Sequence, residues 1–274
     1  MKQSDTAILY CHCAYKDIIP EETRAAALTA ISGLAADCFT VADLCELIAG
    51  RDALPQQLAQ YDRILILACY PRAIQWLFEQ AGTKLDMGRV SIINMRTAAV
   101  DEVVDALRQF AAGRFSGDTA PELQNDAADG GSSAAAPAEK NPLRSTLEQK
   151  GEWIPWFPVI DYDKCTHCKQ CLSFCPFGVY SLDDEDKVRV TSPRNCKNNC
   201  PACARICPQL AIIFPKVIDR PINGDEVKPG DRLNAQKALE EQKRELAAKS
   251  IHDVLAQRKL RALQKRMAER FEKS

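Results

Sequence analysis

The sequence predicts an α/β domain, built as a parallel sheet with helices on both faces, followed by a small cysteine-rich α+β module and a terminal helix. Three observations predict it. Short apolar runs alternate with helical patterns through the first 112 residues, eight of the 13 cysteines crowd between positions 165 and 207, and neither Gly nor Pro interrupts the chain from about Asp231 to Ser274. A length of 274 residues corresponds to roughly two domains of about 150 residues, enough to bury a core without covalent staples.

Composition narrows the class. Hydrophobic residues at 46% and charged residues at 27% are ordinary globular values and argue against a fibrous or disordered chain. A net charge of -1 excludes nucleic-acid binding driven by overall charge. The start, MKQSDTAILY, has no apolar stretch of signal-peptide length, and the cysteine count is odd. Both favour reduced thiols in a cytoplasmic protein. No window approaches the ~18 to 20 apolar residues of a membrane span; the best run, Ile64 to Cys69, is strand-sized. Reduced thiolates are most often metal ligands or catalysts.

In chain order, strands are expected at Thr6–Tyr10, Phe39–Val41, Ile64–Ala68 and Val90–Met95, and helices at Glu21–Leu34, Asp43–Ala49, Ala73–Ala81 and Ala98–Ala111. Such βα alternation implies parallel strands covered on both faces over residues 1–112. No G-x-G-x-x-G follows the first strand and no G-x-x-x-x-G-K-[ST] occurs, so no flavin or nicotinamide site is seen. Residues 113–150, rich in Ala, Gly, Ser, Asp and Pro, cannot bury enough surface to offset their ordering entropy and read as a flexible linker. The cysteine-rich domain is placed at 151–216, a connector at 217–234 and a basic amphipathic helix at 235–274.

The chemistry lies in two runs. Residues 165–176 read C-T-H-C-K-Q-C-L-S-F-C-P and residues 196–208 read C-K-N-N-C-P-A-C-A-R-I-C-P, an internal duplication with one inserted residue. A cubane offers irons at tetrahedral corners, and thiolates recurring every third or fourth residue let one tight loop wrap three of them. The fourth corner faces away and is filled from elsewhere; in two-cluster ferredoxins the last Cys of each run ligates the other cluster. Two [4Fe–4S] clusters are therefore expected, one on Cys165, Cys168, Cys171 and Cys207, the other on Cys196, Cys200, Cys203 and Cys175. Zinc would account for eight cysteines as two sites but gives no reason for the x3-C-P endings or the duplication. Residues 159–215 resemble the dicluster bacterial-type ferredoxins, which implies a small ferredoxin-like α+β fold; the departure is the extra residue between Cys196 and Cys200. His167 reads as a solvated loop residue, and the aromatic segment Trp153–Pro158 as packing on this module or on the first domain.

Three further cysteines, Cys11, Cys13 and Cys69, follow strands directly, where doubly wound sheets bind ligands. Cys45 is the candidate fourth partner and Cys38 the runner-up. A third cluster, a Cys11–Cys13 redox pair and buried structural thiols all remain open. The segments ILYCHCAY, DLCEL and RILILACYPRAIQWLF resemble the N-terminal domain of the heterodisulfide reductase A subunit over about 110 residues. That resemblance implies a cluster on Cys11, Cys13, Cys69 and Cys45. Ala14 stands where that family usually has Gly, and its flavin-binding region is missing.

In the last segment Lys and Arg outnumber Asp and Glu, and Leu260, Leu263, Met267 and Phe271 recur at helical spacing. Docking on its own protein or on a dimer partner is favoured there over an acidic partner, an anionic membrane surface or nucleic acid. The functional expectation is an iron–sulfur electron carrier or electron-transfer subunit working between redox protein partners, with no acid–base set to make it an enzyme. The competing expectations are a heterodisulfide-reductase-like subunit with thiol chemistry in its first domain and a redox-sensing regulator.

Overall fold

The computed structural model describes residues 5–34, 36–113, 144–148 and 151–238, with further positions between 240 and 253. It divides into two compact units, Met1–Glu226 and Val227–Ser274. Among the described residues no helix is long and apolar enough to cross a membrane.

The first unit begins with β1 (Thr6–Cys11), α1 (Glu21–Ile31), β2 (Asp37–Val41), α2 (Leu44–Ala49), α3 (Leu54–Leu58), β3 (Arg63–Ala68), α4 (Pro71–Gln80), β4 (Val90–Asn94) and α5 (Val100–Ala111). Local chemistry sets the helix starts. Glu21 and Glu22 occupy the first turn of α1, where the helix dipole favours negative charge. The Asp43 side chain accepts from Glu46 N at 3.2 Å, so Asp43 caps α2 and stands outside it. Pro71 opens α4 because its missing N–H costs nothing at a first helical position, which moves the start two residues ahead of the expected Ala73. Helix α1 stops at Ile31, short of the expected Leu34, and α5 begins at Val100. Helix α3 is an addition to the expected elements; five residues are too few to show periodicity.

The five strands lie in the order β4-β3-β1-β2-β5, and all are parallel. The fifth, β5 (Arg144–Thr146), falls inside the segment expected as linker and pairs with β2. The linker reading is thus corrected at 144–146; residues 114–143 lie outside the described residues. Alternation along the strands divides the core between two faces. Leu9, Ile64 and Ile66 pack with α2, α3 and α4 on one face, while Ile8, Tyr10, Leu65 and Leu67 pack with α1 and α5 on the other. Each fully buried side chain of this size contributes about 1.5–3 kcal/mol.

The cysteine-rich part follows as β6 (Val159–Ile160), α6 (Gln170–Phe174), β7 (Tyr180–Leu182), β8 (Val188–Val190), a 3-10 turn at Pro193–Asn195, α7 (Ala202–Arg205) and β9 (Ile212–Ile213). Strands β6 and β9 pair antiparallel, as do β7 and β8. This module is not separate from the sheet domain: Phe157, Val159 and Ile213 belong to the core on the α4 face. The segment Trp153–Pro158 packs as expected and bridges both parts. Trp153 stacks on Phe157 at 6.1 Å, while Trp156 lies against Phe214 at 5.7 Å. Beyond β9, Gly224 at φ +100° passes so close to α4 that a Cβ there would sit 2.6 Å from Ala73 Cβ.

In the second unit residues 231–238 are helical and their side chains exposed or half-exposed. The stripe Leu260, Leu263, Met267 and Phe271 lies outside the described residues.

Candidate functional site

The loop after β6 is anchored by Asp161, whose carbonyl accepts from Cys165 N at 3.0 Å and whose carboxylate accepts from Lys164 N at 3.2 Å. The first cysteine run then passes through His167 and Lys169, the second through Asn199, and the chain just past it through Leu210, all at positive φ between 52° and 62°. Left-handed geometry costs a non-glycine residue about 1–2 kcal/mol. The strain is concentrated where successive thiols must end on one cavity. His167 is not simply solvated. It is half-buried, stacks on Tyr162 at 5.9 Å and accepts from Val188 N at 3.2 Å through Nδ1, which ties the first loop to β8.

Two cavities result. One, of about 380 Å³ including its open mouth, is lined by Cys165, Cys168, Cys171 and Cys207. The other, of about 300 Å³ including its open mouth, is lined by Cys175, Cys196, Cys200 and Cys203. Each brings three thiols of one run together with the last thiol of the other. Backbone and hydroxyl donors face the sulfurs: Ala211 N donates to Cys207 Sγ at 3.4 Å and Tyr180 Oη to Cys203 Sγ at 3.1 Å. Tyr180 is buried beside the second cavity, whereas Phe174 and Phe177 are 50% and 41% exposed at its mouth.

A third cavity, of about 310 Å³ including its open mouth, lies at the carboxyl ends of β1 and β3 and is lined by Cys11, Cys13, Cys45 and Cys69. These strands are neighbours at the point where the sheet order reverses, with β2 on one side of β1 and β3 on the other. All four thiols are buried, and Cys13 adopts φ 55°. Cys11 Sγ accepts from Leu44 N at 3.3 Å. Cys38, the runner-up, does not reach this cavity; it lies in the opposite face of the sheet with its thiol on Ala36 O.

Sequence reasoning misses the charged residues around the third cavity. Lys216 and Asp43 line it, with side chains only 3% and 1% exposed and Nζ to Oδ2 at 2.9 Å. Lys216 stands as a lone cation in the apolar run IIFPKVI, which is the signal that could have found it. Arg96 holds the same segment, donating to Pro215 O at 3.0 Å and Val217 O at 3.1 Å.

Burial pushes the thiols up: Cys13, Cys171 and Cys196 to about 12 and Cys203 to about 11, with Cys11, Cys45, Cys69 and Cys165 also raised. Burial opposes the charge of Lys216, but Cys45 and Cys13 when they carry thiolate charge, together with the Asp43 carboxylate, more than offset it and push its pKa up. Among the described residues, no three His, Cys, Asp or Glu side chains are arranged to hold a single metal ion. The thiols are set around volumes, as a multi-iron cubane requires, and a set of four cysteines is its usual donor set. The residues therefore fit the group.

Comparison with known proteins bears on the same region. A family model described as a 4Fe-4S dicluster domain matches residues 157–209. The pyruvate synthase subunit PorD of Methanothermobacter marburgensis is 36% identical over 73 residues, which are 27% of this chain and 83% of that protein. This chain belongs to the 4Fe-4S dicluster family. An uncharacterized ferredoxin of Methanocaldococcus jannaschii is 47% identical over 68 residues, covering 24% of this chain and 46% of the relative. The chain thus spans less than half the length of that ferredoxin. Ferredoxin-3 of a Nostoc species is 40% identical over 75 residues, covering 21% of this chain and 76% of the relative. Residues 157–209 form a dicluster domain for iron–sulfur electron transfer.

Proposed function

We propose that the whole chain is an electron-transfer subunit that exchanges single electrons with two redox protein partners in a reducing, cytoplasmic setting. Cys165, Cys168, Cys171 and Cys207 hold one [4Fe–4S] cluster, and Cys196, Cys200, Cys203 and Cys175 hold the second. Cys11, Cys13, Cys45 and Cys69 hold a third. Bound there, the clusters supply one-electron redox chemistry. The protein supplies thiolate ligands, N–H and O–H donors aimed at sulfur, and apolar walls, which are its means of tuning potential.

The observation that carries this reading is the partition of thiols among cavities, three from one run and the last from the other, twice over. The N-terminal domain at 1–112 and the dicluster domain at 151–216 work as one body because they share a core. The dithiol alternative at Cys11 and Cys13 is disfavoured, since a reactive cysteine needs exposure and a lowered pKa, and both thiols are buried and raised. Counting iron and acid-labile sulfide in the full chain after anaerobic purification tests the proposal. About twelve irons per chain are expected for three cubanes and about eight for two; zinc in their place rejects it.

A further inference from the structure

The third thiol cavity is completed from outside its own domain. Lys216 lies three residues beyond β9, on the far side of the dicluster module in sequence, yet its Nζ reaches Asp43 Oδ1 at 3.0 Å and Oδ2 at 2.9 Å at the start of α2. Its two chain neighbours are held by the Arg96 guanidinium through Pro215 O and Val217 O, so the ammonium is fixed from both sides. Asp43 in turn caps α2, the helix that carries Cys45.

Burying such a pair is expensive. Each ion loses several kcal/mol of hydration, and a well-packed apolar pair of the same size is often as stable. A charge kept here at that cost has work that packing alone does not explain. Among the described residues, the four thiols that share the cavity with Lys216 and Asp43 are the other chemistry in its lining, and four thiolates around an iron–sulfur core leave net negative charge in a dry site. The field of Lys216 acts on Cys13, Cys45 and Cys69, with Arg96 adding to it at Cys13 and Cys69, and the opposing field of Asp43 acts on all four thiols.

We propose that Lys216, delivered by the segment after the dicluster module, is the positioning charge of the N-terminal thiol site: it stabilises the extra electron there, while Asp43 orients it and opposes it. This rests on the reading of a cluster at Cys11, Cys13, Cys45 and Cys69. One-electron reduction adds one negative charge to the site, taken from a one-electron donor protein in service or from dithionite in the test, with no bond made or broken in the chain. The reduction potential of the first domain is thereby tied to the docking of the second.

The test is a dithionite titration of the anaerobically reconstituted full chain, followed by electron paramagnetic resonance, in the wild type, Lys216→Met, Lys216→Arg and Asp43→Asn. Asparagine keeps the helix cap. With about twelve irons per chain, Lys216→Met moves the midpoint of one signal to more negative potential and leaves the other two in place. Lys216→Arg restores it, and Asp43→Asn moves the same signal to more positive potential. Unmoved midpoints at full iron content, or both variants moving the signal in one direction, overturn the role of Lys216 alone. About eight irons in the wild type overturn the cluster reading beneath it. Should Lys216→Met fail to fold, the positive shift in Asp43→Asn decides the matter, and its absence rejects the proposal.

Discussion

Arg72 Nε lies 2.6 Å from Asp161 Oδ2, and the other guanidinium nitrogens reach the carbonyls of Leu210, Pro221 and Asp225. One side chain at the start of α4 therefore holds both the entry and the exit of the dicluster module, together with the chain that follows. The two charged side chains are 9% and 1% exposed, so the pair is out of water.

Breaking this pair from one side leaves a buried charge without its partner. Asp161→Ala is expected to cost about 3–5 kcal/mol in urea unfolding of the full chain. The double variant Arg72→Met, Asp161→Leu is expected to recover only part of that loss, because the carbonyls of Leu210, Pro221 and Asp225 lose their donor. A cost within about 0.5 kcal/mol for the single variant, the range of ordinary surface changes, would show that the clasp is not closed in solution.

Cys175 and Cys207 separate a crossed arrangement from an uncrossed one. Cys175→Ser is expected to damage the cluster of Cys196, Cys200 and Cys203, and Cys207→Ser that of Cys165, Cys168 and Cys171, because each lines the cavity of the other run. Site-resolved spectroscopy showing each variant damaging its own run rejects the crossing.

The N-terminal thiols divide in the same way. Cys69→Ser is expected to lower the iron content of the full chain by about four, one cubane, while Cys38→Ser leaves it unchanged because Cys38 is on the opposite face of the sheet. Equal losses in both variants would count against the site.

Metal removal should expose a pH dependence of stability. In the metal-free chain Cys13, Cys171 and Cys196 are raised from 9.0 to about 12. Between those values the unfolded chain has released the thiol protons and the folded chain still holds them. Unfolding free energy therefore falls as pH rises through that window. The denaturation midpoint of the metal-free chain is expected to drop from about pH 9 upward, and the iron-loaded chain, whose ligand thiols are already deprotonated, to lack that dependence. Parallel profiles would contradict this.

Val227–Ser274 forms a compact unit of its own. Truncation after Lys228 is expected to keep the full iron content while changing oligomeric state or partner capture, read by iron assay and light scattering. Loss of iron on truncation would assign the helix to the clusters.

The strands and the eight cysteines that line the two dicluster cavities are legible because their signals are local. The run ILILA is a buried strand whatever surrounds it, and C-x2-C-x2-C-x3-C-P encodes three thiols on one loop in its own spacing. Strand β5 and helix α3 are not legible, since three and five residues hold no period and exist through the neighbours they pair or pack with. Reading His167 as a solvated residue fails for the same reason: its partners Val188 and Tyr162 are on other segments.

By itself the sequence determined the chemistry of the dicluster region, because ligand identity and spacing are properties of a short stretch of chain. Tertiary structure decided which thiols meet across distance. The reversal of strand order places Cys11, Cys13 and Cys69 on one crevice, the capped start of α2 brings Cys45 to it, and strand alternation sends Cys38 to the other face. It also decided that the two domains form one body: Arg72, Arg96 and Lys216 are ordinary cations in sequence. They become interdomain clasps only when a carboxylate or carbonyls from more than 80 residues away are brought within hydrogen-bond reach and shielded from water.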